Sequence, residues 1–220
     1  MKIFKALNTS VGKKIAMAIT GLSLALFMVF HLIGNLNLFL GPEAFNGYVL
    51  KLKKLGFLIR IAEAGLLSFV LIHVYSGIVL WLKNKRAISK NPSYSITSTP
   101  RASRYTLLTG SFVFIFLVMH WSTFWYKFNF SMGNKTYYEI VLGPEVGFGN
   151  IYYTLFYIIA IGLLGYHLKH GFDSAGQTLA IKGTKYEKTY YSLAAVFWFW
   201  IPFGFISIPV YFGIILRLLG

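Results

Sequence analysis

Five long apolar runs dominate this chain, near residues 15–40, 57–82, 105–128, 150–175 and 191–216. At 1.5 Å of rise per residue, a helix made from any one of them is long enough to cross the ~30 Å hydrocarbon layer of a bilayer. Charged residues make up 12% of the sequence, against roughly 25% in soluble domains. The expectation is an all-α integral membrane bundle of five transmembrane helices, forming one transmembrane domain over residues 1–220. The first run lacks a small-residue cleavage site and reads as a retained helix, not a signal peptide.

The net charge is +15. In a soluble protein that balance would suggest nucleic acid. Here the basic residues cluster in short segments between apolar runs, which reads as membrane topology and contact with anionic lipid headgroups, with no nucleic-acid partner. Lys2, Lys5, Lys13, Lys14, the Lys83–Lys90 group, Arg101, Arg104, Lys169, Lys182, Lys185 and Lys188 fall on one side. Lys51, Lys53, Lys54, Arg60, Lys127, Lys135 and Arg217 fall on the other. The bias predicts a cytoplasmic N-terminus and an outer C-terminus. The longest connector, 83–104, is then a basic cytoplasmic loop, both solvated and suited to docking a soluble partner. Gly41-Pro42, Asn91-Pro92, Gly143-Pro144 and Gly183 mark the turns.

Four of the five histidines sit inside the apolar runs, one per run: His31, His73, His120 and His167. An ionisable group in a membrane is costly and marks function by default. Counting from the inner ends, His31 lies roughly 24 Å deep and His120 roughly 23 Å, whereas His73 lies about 14 Å deep and His167 about 12 Å. The four therefore form two pairs, His31 with His120 and His73 with His167, at levels separated by something on the order of 10 Å. Two bis-histidine haems stacked across the bilayer account for this pattern. The chain has no cysteine, so any haem is held without covalent attachment, by imidazoles and packing. His170 follows Lys169 near the inner edge and reads as a surface residue, with second claim to ligation after His167.

An internal repeat strengthens the pairing. Thr20-Gly21 precedes His31 by the same interval as Thr109-Gly110 precedes His120, and Gly77 follows His73 as Gly171 follows His167. A glycine four residues from a histidine shares its helical face and removes a side chain where a porphyrin would lie. Thr20 and Thr109 fall near the inner level, in reach for a hydrogen bond or close packing. Glu63, early in the second run, reads as a partner for Arg60 three residues earlier or as a proton-relay or quinone-site acid. Asn35 is one turn beyond His31. The fifth run has no histidine, carries Pro202 and Pro209, and reads as a bent packing helix with Trp198-Phe199-Trp200 facing lipid or haem.

At these residues the chain resembles the dihaem cytochrome b membrane anchor of succinate:quinone oxidoreductases, the bacterial succinate dehydrogenases and fumarate reductases with a single five-helix anchor. The matching stretches run from Thr20-Gly21-Leu22 through Leu26-Phe27-Met28 to His31, Leu32 and Asn35, then Gly41-x-Glu43-Ala44-Phe45-Asn46, Thr109-Gly110 to His120, and His167 with Gly171. They extend over roughly residues 10 to 215. The resemblance implies that His31 and His120 bind the distal haem b, and that His73 and His167 bind the proximal one. It implies a flavoprotein subunit carrying FAD and an iron–sulfur subunit as cytoplasmic partners, a quinone (menaquinone) as substrate, and residence in the bacterial cytoplasmic membrane. Some members of the family carry a glutamate two residues before the fourth histidine, implicated in transmembrane proton transfer. Gly165 occupies that position here. The implied function is electron transfer between succinate or fumarate chemistry on the partners and quinone in the membrane. The alternatives are a cytochrome b anchor of a hydrogenase or formate dehydrogenase, and a haem-free transporter.

Overall fold

The computed structural model describes residues 9–90 and 101–219. Lys2, Lys5 and Asn91-Pro92 lie outside them. Five helices are long and apolar enough to cross a membrane: Ser10–Leu40, Phe57–Ala87, Thr106–Phe130, Ile151–Thr178 and Glu187–Leu219. They are called spans one to five below. Helices suit such sequences because a backbone in hydrocarbon must satisfy its own polar groups.

The ends are written in local chemistry. Thr9 caps span one, its hydroxyl accepting from the Gly12 amide at 3.0 Å. Asn150 caps span four, its side-chain oxygen accepting from the Tyr152 and Tyr153 amides at 3.0 and 3.1 Å. Each satisfies amides that a helix start leaves orphaned. Span one closes in a 3-10 turn, Asn37–Leu40, and Gly41 turns the chain with φ 95°. A further helix, Pro42–Lys54, follows. Pro42 opens it, Glu43 lies in its first turn and Lys51, Lys53 and Lys54 in its last, an arrangement that suits the helix dipole.

The helix of span two continues past the expected end at residue 82, reaching Lys90. The basic segment from Lys83 is thus helical and not loop. Its lysines, arginine and alanine are good helix formers, and no breaker precedes Pro92. Span three passes without interruption through a π-helical stretch, Trp121–Tyr126, immediately after His120. Span five contains two more, Val196–Trp200 and Tyr211–Ile215. They flank Pro202 and Pro209, where a missing amide breaks the regular ladder.

Span one packs against spans two and four, span three against span four, and span five against spans four and one. Spans two and three touch each other only slightly. Glycines set the closest approaches of span five. A Cβ at Gly165 would lie 2.9 Å from the Trp198 carbonyl oxygen, and one at Gly204 would lie 2.8 Å from Leu32. A Cβ at Gly213 would meet the fully buried Thr154 and the Phe148 carbonyl.

The main core lies toward one end of the bundle. It joins Leu38, Phe45, Phe124, Tyr137, Ile140, Phe148, Tyr157 and Phe205. The Pro42–Lys54 helix closes that end. Its Asn46 side chain accepts from the Tyr138 amide at 3.0 Å, and Phe45 meets the Tyr138 ring edge-on. The Gly41 to Asn46 stretch therefore anchors the short helix Tyr137–Val141. Large apolar side chains cover the outside of the spans, among them Leu71, Phe112, Ile159 and Phe203, as expected of surfaces facing lipid.

The short helix Tyr137–Val141 begins with a capping box. Thr136 donates its amide and hydroxyl to Glu139 Oε2 at 2.7 and 2.9 Å, and the Glu139 amide returns a bond to the Thr136 hydroxyl at 3.3 Å. The bonds from Thr136 hold the Glu139 carboxyl below its ordinary value of 4.5. A carboxyl depressed on folding contributes stability that is complete above that ordinary value and is lost as pH falls through the lower folded one. An NMR titration of the Thr136 amide shift is expected to show a midpoint below 4.5 that disappears in Glu139→Gln. A midpoint at or above 4.5 would rule out the capping contribution.

Candidate functional site: two histidine pairs across the bundle

The four histidines meet in two pairs inside the bundle, each pair joining non-consecutive spans. His31 of span one faces His120 of span three with ring centroids 5.6 Å apart and planes at 89°. His73 of span two faces His167 of span four at 6.2 Å and 75°. These are the partners expected from depth along the sequence. All four are half-buried, so none is sealed into the core. His170 is half-buried and not the surface residue expected.

The repeat works across spans and not within them. Gly21 of span one lies against His73, where a Cβ would come within 3.0 Å of Cε1 and 3.4 Å of Nδ1. Gly110 of span three lies against His167, at 3.5 Å from Cε1 and 3.8 Å from Nδ1. Each Thr-Gly therefore serves the histidine of the following span. Thr20 is buried; its hydroxyl donates to the Ala16 carbonyl at 2.7 Å and lies 3.4 Å from His73 Nδ1. Thr109 is buried at the matching place and donates to the Thr106 carbonyl at 3.2 Å. Gly77 meets only the Met17 sulfur at 4.0 Å, and Gly171 has open space beside it.

Hydrogen bonds identify the ring nitrogens free for other work. His73 Nδ1 lies 3.2 Å from the Met17 carbonyl, which can only accept. Nδ1 then carries the proton and Nε2 keeps a lone pair. His120 Nδ1 lies 3.1 Å from the Tyr157 hydroxyl. Asn35 donates mainly to the His31 carbonyl at 2.8 Å, with the His31 ring nitrogens at 3.4 and 3.5 Å. His167 Nδ1 is buried with no hydrogen-bond partner among the described residues. Aromatic rings surround the first pair: Phe27 stacks on His31 at 5.2 Å, Phe205 lies 5.5 Å from it, and Phe116 and Phe124 flank His120 at 5.8 and 5.4 Å.

These donors suit a metal that brings its own remaining ligands. Two imidazoles sharing one metal in line, with metal–nitrogen bonds of about 2 Å, have ring centroids roughly 6.3 Å apart. The His73/His167 separation matches this, and that of His31/His120 is slightly shorter. Structural zinc takes four protein ligands and catalytic zinc three. Among the described residues no group of three or more histidine, cysteine or acidic side chains converges.

Glu63 is engaged in structure. Its Oε2 accepts from Arg60 Nη1 at 2.6 Å and its Oε1 from Trp125 Nε1 at 2.9 Å. Arg60 Nη2 also donates to Asn129 at 2.8 Å. The carboxylate thus ties span two to span three at the end nearer His31 and His120. Tyr153 and Tyr157, not singled out in the sequence, belong to the site. Their only signature is a pair of tyrosines one turn apart in an apolar run, whose polar tips need partners. Comparison with known proteins finds no matching family model, curated protein or solved structure.

The unequal glycine contacts make a prediction. Gly21→Ala puts a methyl 3.0 Å from His73 Cε1, so the ring must shift by a few tenths of an ångström. Gly110→Ala meets only ordinary contact distance and gains helix propensity of about 0.5–1 kcal/mol, so it is expected to be the more stable of the two variants. Thermal unfolding of both variants in detergent checks this; equal midpoints would remove any special role for the approach at Gly21.

Proposed function

We propose that this chain is the cytochrome b membrane anchor of a succinate:quinone oxidoreductase, holding two haem b groups between the histidine pairs. The observation that carries the reading is the pairing itself: one histidine from each of spans one to four, joined across the bundle at two levels, in pairs and not in triads. Bound there, haem b supplies reversible one-electron transfer.

The residues of the chain have separable tasks in this reading. His31 with His120, and His73 with His167, would hold the two haems. The Met17 carbonyl and the Tyr157 hydroxyl orient His73 and His120 through their Nδ1 atoms, as second partners of metal-bound imidazoles commonly do. Thr20, Gly21, Thr109 and Gly110 pack beside the inner pair, and Gly77 and Gly171 keep space open beside their histidines. Phe27, Phe205, Phe116 and Phe124 line the outer pair with apolar rings.

The N-terminus is assigned to the cytoplasm from the lysine and arginine bias. This puts the His73/His167 level toward the soluble partners, a flavoprotein with FAD and an iron–sulfur subunit, and the His31/His120 level toward the outer face. The basic helical extension Lys83–Lys90 then lies on the partner side. Electrons pass between these partners and a membrane quinone, menaquinone in this reading, in the bacterial cytoplasmic membrane. Glu63, held by Arg60 and Trp125, has its acidic oxygens already bonded and serves the quinone only if that clasp opens. A glutamate at position 165 would collide with the Trp198 carbonyl, so this chain works without an acid there.

A dithionite-reduced minus oxidised spectrum of the purified membrane complex, with pyridine haemochrome quantitation, is expected to give two haems b per chain. His73→Ala is expected to lose one of them, and assembly with it. A wild-type complex without haem, or a His73→Ala complex with two haems and unchanged spectra, would overturn the assignment. Co-purification of a hydrogenase or formate dehydrogenase subunit would replace the partner enzyme while keeping the haems.

A further inference from the structure

His120 is joined to a buried line of hydroxyl groups. Its Nδ1 lies 3.1 Å from Tyr157 Oη, which lies 2.9 Å from Tyr153 Oη. The Thr123 side chain lies beside Tyr153 in turn. Tyr157, Tyr153 and Thr123 are all buried. Phe116 and Phe148 meet the Tyr157 ring edge-on at 4.9 and 5.3 Å, and Phe124 at 6.0 Å. The π-helical stretch that begins directly after His120 carries Thr123 and Phe124 on its buried side. The line thus returns to the helix that bears the histidine.

We infer that Tyr157 is a positioning residue for the His31/His120 level, accepting the Nδ1 proton of His120 so that Nε2 is presented as a lone pair. This rests on the haem reading above. The argument is one of polarity. A hydroxyl can donate or accept. If Tyr157 donated to Nδ1, His120 would carry its proton on Nε2 and could not ligate through it. Ligation therefore fixes the first bond of the line: His120 donates to Tyr157, whose second lone pair is open to the Tyr153 hydroxyl. At the other level a carbonyl, which only accepts, fixes His73 outright, and His167 Nδ1 has no partner among the described residues. Each level thus has one imidazole with an acceptor on Nδ1–H, which strengthens it as a ligand, but the acceptor is a removable side-chain hydroxyl for His120 and a backbone carbonyl for His73.

The test is redox potentiometry and low-temperature electron paramagnetic resonance on the intact purified complex, comparing the wild type with Tyr157→Phe and Tyr153→Phe. Both substitutions keep the ring and its packing and remove only the hydroxyl. A weaker acceptor on His120 makes a less basic ligand, which favours the reduced state. Tyr157→Phe is expected to raise one of the two haem midpoint potentials and shift one of the two low-spin ferric signals, leaving the other haem unmoved. Tyr153→Phe is expected to move the potential of the same haem by less, leaving the other unmoved. Loss of one haem alone in Tyr157→Phe supports the same role. Two unmoved potentials, or both moved equally, would overturn it. If Tyr157→Phe fails to assemble, Tyr153→Phe decides by the same criterion. A wild-type complex without haem overturns the reading and this inference together. A two-haem wild type with unresponsive variants overturns the inference alone.

Discussion

Four imidazoles in an apolar interior need polar or metal partners, and the bundle is arranged around supplying them. A buried polar group without a partner costs roughly 1–3 kcal/mol by mutational measures. No histidine here meets another ring within its own span or across the short turn to the next one, although Asn35 and the Met17 carbonyl give His31 and His73 polar neighbours in their own and the preceding span. The pairs instead join span one to span three and span two to span four. Crossing the bundle in this way requires the helices between to come close, and the small residues lie at those crossings. Gly21 lets span one pass the His73 ring, and Gly110 does the same for span three and His167. The Thr-Gly repeat is thus a device for threading one helix past the histidine of the next.

The two levels inherit different surroundings from this arrangement. His31 and His120 stand at the edge of the main aromatic core, under the end closed by the Pro42–Lys54 and Tyr137–Val141 helices. His73 and His167 stand among Thr20, Gly21, Met17 and Gly110, where polar contacts are few and side chains small. The first level is lined by aromatic rings, with a hydroxyl network attached. The second has a single carbonyl contact and one buried nitrogen without a partner among the described residues. Chemically alike imidazoles are in this way given unlike hydrogen-bonding settings.

Much of this was legible in the sequence because helical rise is constant. Counting residues from span ends places His31 level with His120 and His73 level with His167, and the structure brings those rings together. The apolar runs fixed the number of spans for the same reason. What rise cannot carry is direction around the helix when the partner is unknown. The Thr-Gly motifs were associated with the inner level by their distance along span one and span three, yet their contact with the next span's histidine depends on how the helices pack. The helix Pro42–Lys54 was hidden behind a reading of Gly41-Pro42 as a turn, although Glu43 and the terminal lysines carried the charge pattern of a helix. Tyr153 and Tyr157 were hidden by company, being two of 15 tyrosines in the chain. Their role rests on a hydrogen-bonding partner in another span.

The slight contact between spans two and three follows from the same geometry. Each of these spans carries one histidine that reaches diagonally, and their facing sides are not needed to bury the rings. Direct packing there is replaced by a clasp at one end, where Arg60, Glu63, Trp125 and Asn129 bond to one another and Lys53 donates to the Phe128 carbonyl at 2.5 Å. A polar clasp of this kind belongs near the water interface, where its groups are cheaply solvated before assembly and where Trp side chains are favoured. An apolar seam along the whole length of the two helices would instead draw them together. Tying the helices at one end keeps them in register while direct packing along the rest of their length stays slight.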